Sequence, residues 1–142
     1  MADTKISKNF TWKEFTKSEV AKRKHIINEI TTWEVRDNIL ALVNNVLQPL
    51  RDAWGKPLTI NSGYRCLELN KAVGGVPTSQ HLVGQAADVA CSDPLALARL
   101  AKKLKLPYDQ MGVYPTFVHF SYSEERNRGQ IFYSKDYKGE RV

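Results

Sequence analysis

Between Thr32 and Trp54, apolar residues return at spacings of three and four: Ile39, Leu42, Val43, Val46, Leu47, Leu50 and Trp54. A helix over this stretch carries a continuous apolar stripe, and such a stripe is stable only when a second layer covers it. Thr31 followed by Glu34 has capping-box spacing at the start of the helix. Pro49 removes a ladder hydrogen bond and predicts a kink near the last turn, and Gly55, Lys56 and Pro57 end the helix.

The covering layer is readable downstream. "LTINSGYR" is β-prone and closes in a Ser-Gly turn, "GQAADVA" reads as a short buried strand, and "YDQMGVY" and "FVHFSY" give two more. Pro115 and Thr116 lie between the last two, so an antiparallel hairpin joins them. "ELNKAVGG" is a helical turn followed by a tight reversal at Gly74 and Gly75. Ser92, Asp93 and Pro94 open a second amphipathic helix, "LALARLAKKL", whose lysines fall in its last turn, where the helix dipole favours them. At the N-terminal end Thr11 and Glu14 form a capping box, and "EVAKRKHIINEI" extends helically with weak periodicity. Helices first and then strands interrupted by one helix predict an α+β fold: a small, mostly antiparallel sheet with helices packed on one face. No repeat or linker divides residues 1–142, so the expectation is a single domain.

No apolar run reaches the roughly 18 to 20 residues that span a bilayer. The first ten residues lack the apolar centre of a secretory signal, so the chain is expected to be cytoplasmic as made and to need another route of release or export. The net charge of +6 suits a polyanion such as an acidic wall polymer. "KRKH" at Lys22 to His25 is the only basic cluster and has no interleaved aromatics, so nucleic acid is not expected as a partner and His25 reads as exposed. Cys66 and Cys91 lack metal or redox spacing and read as plain thiols, with a disulfide between them as the other reading.

The chemistry concentrates in "TSQHLVGQAADV". Asp88 lies in a run of alanine and valine, where an unpaired buried carboxylate would cost several kcal/mol or more, so it must be hydrogen-bonded, paired or metal-bound. Gly84, Ala86 and Ala87 leave no bulk to keep His81 and Asp88 apart. His119 stands mid-strand, and alternation places it on one face with Phe117 and Ser121, opposite Val118, Phe120 and Tyr122. His81, Asp88 and His119 together make two imidazoles and one carboxylate, the three-ligand set that leaves a fourth tetrahedral position of Zn2+ open.

"SQHLVGQAADV" resembles the SxHxxGxAxD pattern of the M15 peptidase group, which comprises zinc D-Ala-D-Ala carboxypeptidases and related phage endolysins. "INSGYRC" and "FVHFSY" fall where that group keeps its arginine turn and its last histidine. The resemblance covers roughly Asn9 to Tyr122 and implies the fold shared by the hedgehog domain and these peptidases. It implies Zn2+ on His81, Asp88 and His119, with Arg65 holding a substrate carbonyl or carboxylate beside Ser79. It also implies metal-assisted hydrolysis of peptidoglycan peptides. A guanidinium suits that role, because its planar fork matches a carboxylate or a developing oxyanion.

Many members of the group carry a general-base carboxylate three residues before the last histidine, where this chain has Thr116. Others have an acid two residues after it, where this chain has Ser121. Losing a general base costs about 10²- to 10⁴-fold in rate. Asp109, Tyr114 and Glu124 are the nearby substitutes, with Asp109 the first choice because it sits on the paired strand. Two functions follow. One is a zinc peptidase acting on cell-wall peptides. The other is a non-catalytic, zinc-stabilised module of the same fold that binds wall peptides without cutting them, as the hedgehog domain keeps zinc without being a peptidase.

Overall fold

The computed structural model describes residues 4–142. A small antiparallel pair, β1 (Lys5–Ser7) and β2 (Phe10–Thr11), leads into α1 (Trp12–Thr16) and α2 (Glu19–Arg23). The expected capping box is present, with the Thr11 backbone N–H donating to Glu14 Oε1 at 3.1 Å. Helix in "EVAKRKHIINEI" stops at Arg23, and His25 adopts φ +56° just beyond it. The irregular run to Thr32 is held instead by Asn28. Its Nδ2 donates to the carbonyls of Thr16 and Tyr64, and its Oδ1 accepts from Cys66 N.

The apolar stripe forms α3 (Trp33–Leu42), a π-helical turn (Val43–Leu47) and α4 (Gln48–Trp54), with Gly55 closing the run in a left-handed conformation. One expectation is corrected here. Thr32, not Thr31, caps α3 by accepting from Val35 N, so Glu34 falls one place short of a box. Pro49 lies in the first turn of α4, directly after the π-helical turn. Its missing N–H and its ring's clash with the carbonyl four residues back are absorbed upstream, where Gln48 N–H reaches Val43 O in the wider π pattern.

The main sheet has the order β3 (Thr59–Ser62), β4 (Ala86–Ala90), β6 (Phe117–Ser121), β5 (Gln110–Val113), β7 (Gln130–Tyr133). Every pair is antiparallel except β5 with β7. Neither β7 nor the β1–β2 pair was expected. The predicted hairpin joins β5 and β6, and α5 (Leu67–Ala72) and α6 (Pro94–Lys103) occupy the two other helical segments. Asp93 caps α6 through Ala96 N, as its sequence implies.

Register sorts the sheet into two faces. Ala87 pairs with Phe120 and Val89 with Val118, while Met111 and Val113 lie opposite Phe120 and Val118. These six are buried with Ile39, Leu42, Val46, Leu47 and Leu50 from the long helix and Leu97, Ala98 and Ala101 from α6. Helices therefore cover one face. The other face presents Asp88, His119, Phe117 and Gly112, because Asp88 pairs with His119 and His119 with Gly112. Among the described residues no helix is long and apolar enough to cross a membrane. Cys66 and Cys91 are half-buried thiols, and Cys66 Sγ accepts from Leu69 N at the start of α5.

Candidate metal centre

His81 reaches the open sheet face from a 3-10 turn, Gln80–Val83. Ser79 starts that turn by accepting from His81 N at 3.2 Å, and Gly84 ends it at φ +78°. A Cβ on Gly84 would run into the Val35 carbonyl and the Ile39 side chain, so the turn packs directly on α3. Asn38 fixes the same junction by donating to Val83 O at 2.8 Å. The glycine of the motif thus sets where His81 stands relative to β4.

The His81 ring is buried, and its Nδ1 lies 2.7 Å from Gly63 O. A carbonyl only accepts, so Nδ1 carries a proton there, and Nε2 is the ring nitrogen that faces Asp88 Oδ1, 3.5 Å away. On the other side His119 Nδ1 is 2.8 Å from the same oxygen. The two imidazoles meet edge to face with centroids 5.3 Å apart. One ligand atom from each of His81, Asp88 and His119 lies within 4.8 Å of the other two. A tetrahedral Zn2+ with bonds of about 2.0–2.2 Å needs its ligand atoms roughly 3.3–3.6 Å apart, so small side-chain adjustments suffice. The donor set also fits: two neutral nitrogens, one carboxylate, and a backbone carbonyl fixing the tautomer of one imidazole from behind.

Burial alone would raise the Asp88 carboxyl, but the hydrogen bond from His119 and the adjacent imidazole of His81 outweigh it and hold it well below the ordinary carboxylate range. The site therefore keeps an ionised carboxylate facing its two imidazoles. Arg65 stands beside it, with Nη2 3.9 Å from Asp88 Oδ2. Its Nε donates to Ser62 Oγ and its Nη1 to Asn70 Oδ1, while Asn70 donates in turn to Val76 O. Burial pulls the guanidinium's pKa down, and the nearby Asp88 and Tyr114 push it back up. Ser62 and the buried Asn70 are parts of the site that sequence reasoning missed, although an asparagine in "ELNKAVGG" facing the Gly74-Gly75 reversal was a readable signal.

The substitutes for the missing carboxylate separate clearly. Thr116 is exposed at the hairpin turn, and Ser121 is fully buried, its hydroxyl accepting from Gln110 N. Glu124 lies along α3 with Asp37 and Asn44. Asp109 Oδ1 accepts from Arg128 N and Nε, and its Oδ2 from Arg128 Nη2 and Gln80 Nε2, so both oxygens have partners. Tyr114 interacts electrostatically with Asp88 and Arg65. Burial and the Asp88 charge raise its phenol above the ordinary value, so it stays a donor.

The Arg128 hydrogen bonds outweigh burial and hold the Asp109 carboxyl at about 2. Because this lies below the unfolded value of about 3.9, the pair's contribution is complete above about pH 4 and is lost as pH falls toward 2. Urea unfolding between about pH 5 and pH 2.5 should show a loss on the order of 1–2 kcal/mol from this group. An Arg128→Ala variant should show a correspondingly flatter acid dependence, and an unchanged slope would remove the pair from the account.

Comparison with known proteins places this geometry. The family described as Peptidase M15 matches residues 8–121, which takes in the 3-10 turn, β4 and β6. A zinc D-Ala-D-Ala carboxypeptidase from Streptomyces albus G is 42% identical over 59 residues. That alignment covers 39% of this chain and 23% of the relative, so the chain matches under a quarter of that protein's length.

Proposed function

This chain belongs to the M15 peptidase family, and from that premise we propose that it is a zinc-dependent peptidase hydrolysing peptidoglycan stem or cross-link peptides, of the D-Ala-D-Ala carboxypeptidase or endolysin type. The reading is carried by the convergence of His81, Asp88 and His119 beside Arg65 on the sheet face opposite α3, α4 and α6. His81, Asp88 and His119 would hold Zn2+, which when bound would lower the pKa of a water toward about 7 and polarise the scissile carbonyl.

The chain's own residues do the rest. Gly63 O keeps His81 in the tautomer that offers Nε2, and Asp88 contributes the charge that makes the cluster a cation site. Arg65, fixed by Ser62 and Asn70, directs its fork at a peptide carboxylate or at the oxygen that gains charge as the bond breaks. Ser79 maintains the turn that presents His81 and is assigned here as the substrate contact beside Arg65. Tyr114 is a protonated donor on the same face and can supply a hydrogen bond to the developing charge.

A second reading, a zinc-stabilised module that binds wall peptides without cutting them, draws on the engaged state of Asp109 and the burial of Ser121. Defined stem peptides separate the two. Zinc-loaded protein is expected to release D-alanine or split a cross-link, and a chelator should abolish the reaction. Binding without turnover by fully loaded protein would establish the second reading.

A further inference from the structure

The metal-ligating residues share their sheet face with an aromatic group contributed by β7. Parallel pairing sets Phe132 opposite Gly112, and Gly112 in turn pairs with His119, so Phe132 and His119 point the same way. Gly112 has no side chain, and a Cβ there would run into the Phe132 ring, so the ring rests on the backbone of β5. Its centroid lies 6.0 Å from that of His119 and 6.3 Å from that of Tyr114, which stacks on Phe117 at 4.3 Å. These are direct ring contacts, leaving no room for another side chain between Phe132 and the metal ligand.

Phe132 lies beyond residue 121, where the family match ends, so the ring comes from a segment outside that match. That segment is firmly attached. Gly129 N donates to Tyr108 O, Gln130 N to Asp109 O, and the 3%-exposed Asp109 grips Arg128 from backbone and side chain. This gives the pairing of buried Asp109 with exposed Arg128 a purpose: it fixes the start of the strand that carries the ring.

We propose that Phe132 is a specificity-determining residue, whose ring on Gly112 forms a rigid apolar shelf that limits the substrate residue beside the metal to a methyl-sized side chain such as that of alanine. The assignment rests on the peptidase reading for the identity of its substrate. A shelf of this kind favours a methyl group by contact and offers no donor or acceptor to a polar side chain. A leucyl side chain would have to displace a ring that the sheet supports from below, and hydrophobic pockets discriminate such size differences by about 10- to 200-fold.

Alanyl and leucyl dipeptide analogues with a phosphinic group in place of the scissile amide, titrated calorimetrically into zinc-loaded protein, test this. The wild-type chain should prefer the alanyl analogue at least tenfold. Phe132→Ala should reduce that preference to within about threefold, mainly by improving leucyl binding. Phe132→Val, which keeps strand-forming character, should give the same narrowing if the alanine variant shows an unfolded circular dichroism spectrum. No preference in the wild type, or an unchanged preference in a folded variant, overturns the role of Phe132 even if the wild type hydrolyses wall peptides. Discrimination that the variants lose, in a protein that turns over no peptide, overturns the peptidase reading and leaves the shelf in place. Failure to bind either analogue overturns both.

Discussion

His81→Ala is expected to abolish stoichiometric zinc binding, and with it any zinc-dependent hydrolysis. His81 is 4% exposed and oriented by Gly63 O, so the ring nitrogen it offers is fixed before a metal arrives, and among the described residues the metal-competent group contains only Asp88 and His119 besides it. Removing an outer-shell partner typically costs about 10- to 100-fold in metal affinity, and removing a ligand should cost more than that. The two remaining ligands, Asp88 and His119, already share a hydrogen bond at 2.8 Å and would fall back on each other. Zinc per chain after dialysis against a competing chelator reads the result. Full retention of one zinc by the variant would take His81 out of the site.

Arg65→Lys is expected to lower kcat/KM by about 10²- to 10³-fold, the usual cost of losing a transition-state donor, while zinc content stays at one per chain. A lysine keeps the charge beside Asp88 but has no planar fork, and it cannot donate to Ser62 and Asn70 while also holding a substrate oxygen. Steady-state kinetics on a D-alanine-releasing peptide, with metal content measured on the same preparation, separates the two effects. Activity within threefold of wild type would show that Arg65 serves only as the counter-charge of Asp88.

Much of this site was legible because its signals are local. The small residues around Gly84 let His81 approach β4, the alternation of "FVHFSY" put His119 on the open face, and an aspartate inside an alanine-valine strand required a partner. The α+β class followed from one long apolar stripe and the β-prone runs after it. The misses came from long-range pairing. "QIFY" follows a charged run, and only its parallel registration on β5 makes it a strand and brings Phe132 to Gly112. The ion pair of Asp109 was not readable either, because the arginine that engages it lies 19 residues downstream and carries no local signature. The π-helical turn escaped for a related reason. Proline predicts a disturbed ladder, but where the helix absorbs it depends on how Val43, Val46 and Leu47 pack in the core.

The coordination claim is tested most directly by X-ray absorption at the zinc edge of the loaded wild-type protein. Two imidazoles and one carboxylate predict nitrogen and oxygen scatterers at about 2.0–2.2 Å, with outer-shell features of two histidine rings and no sulfur. A sulfur shell near about 2.3 Å, implicating Cys66 or Cys91, or the signature of a single imidazole, would contradict the His81–Asp88–His119 site.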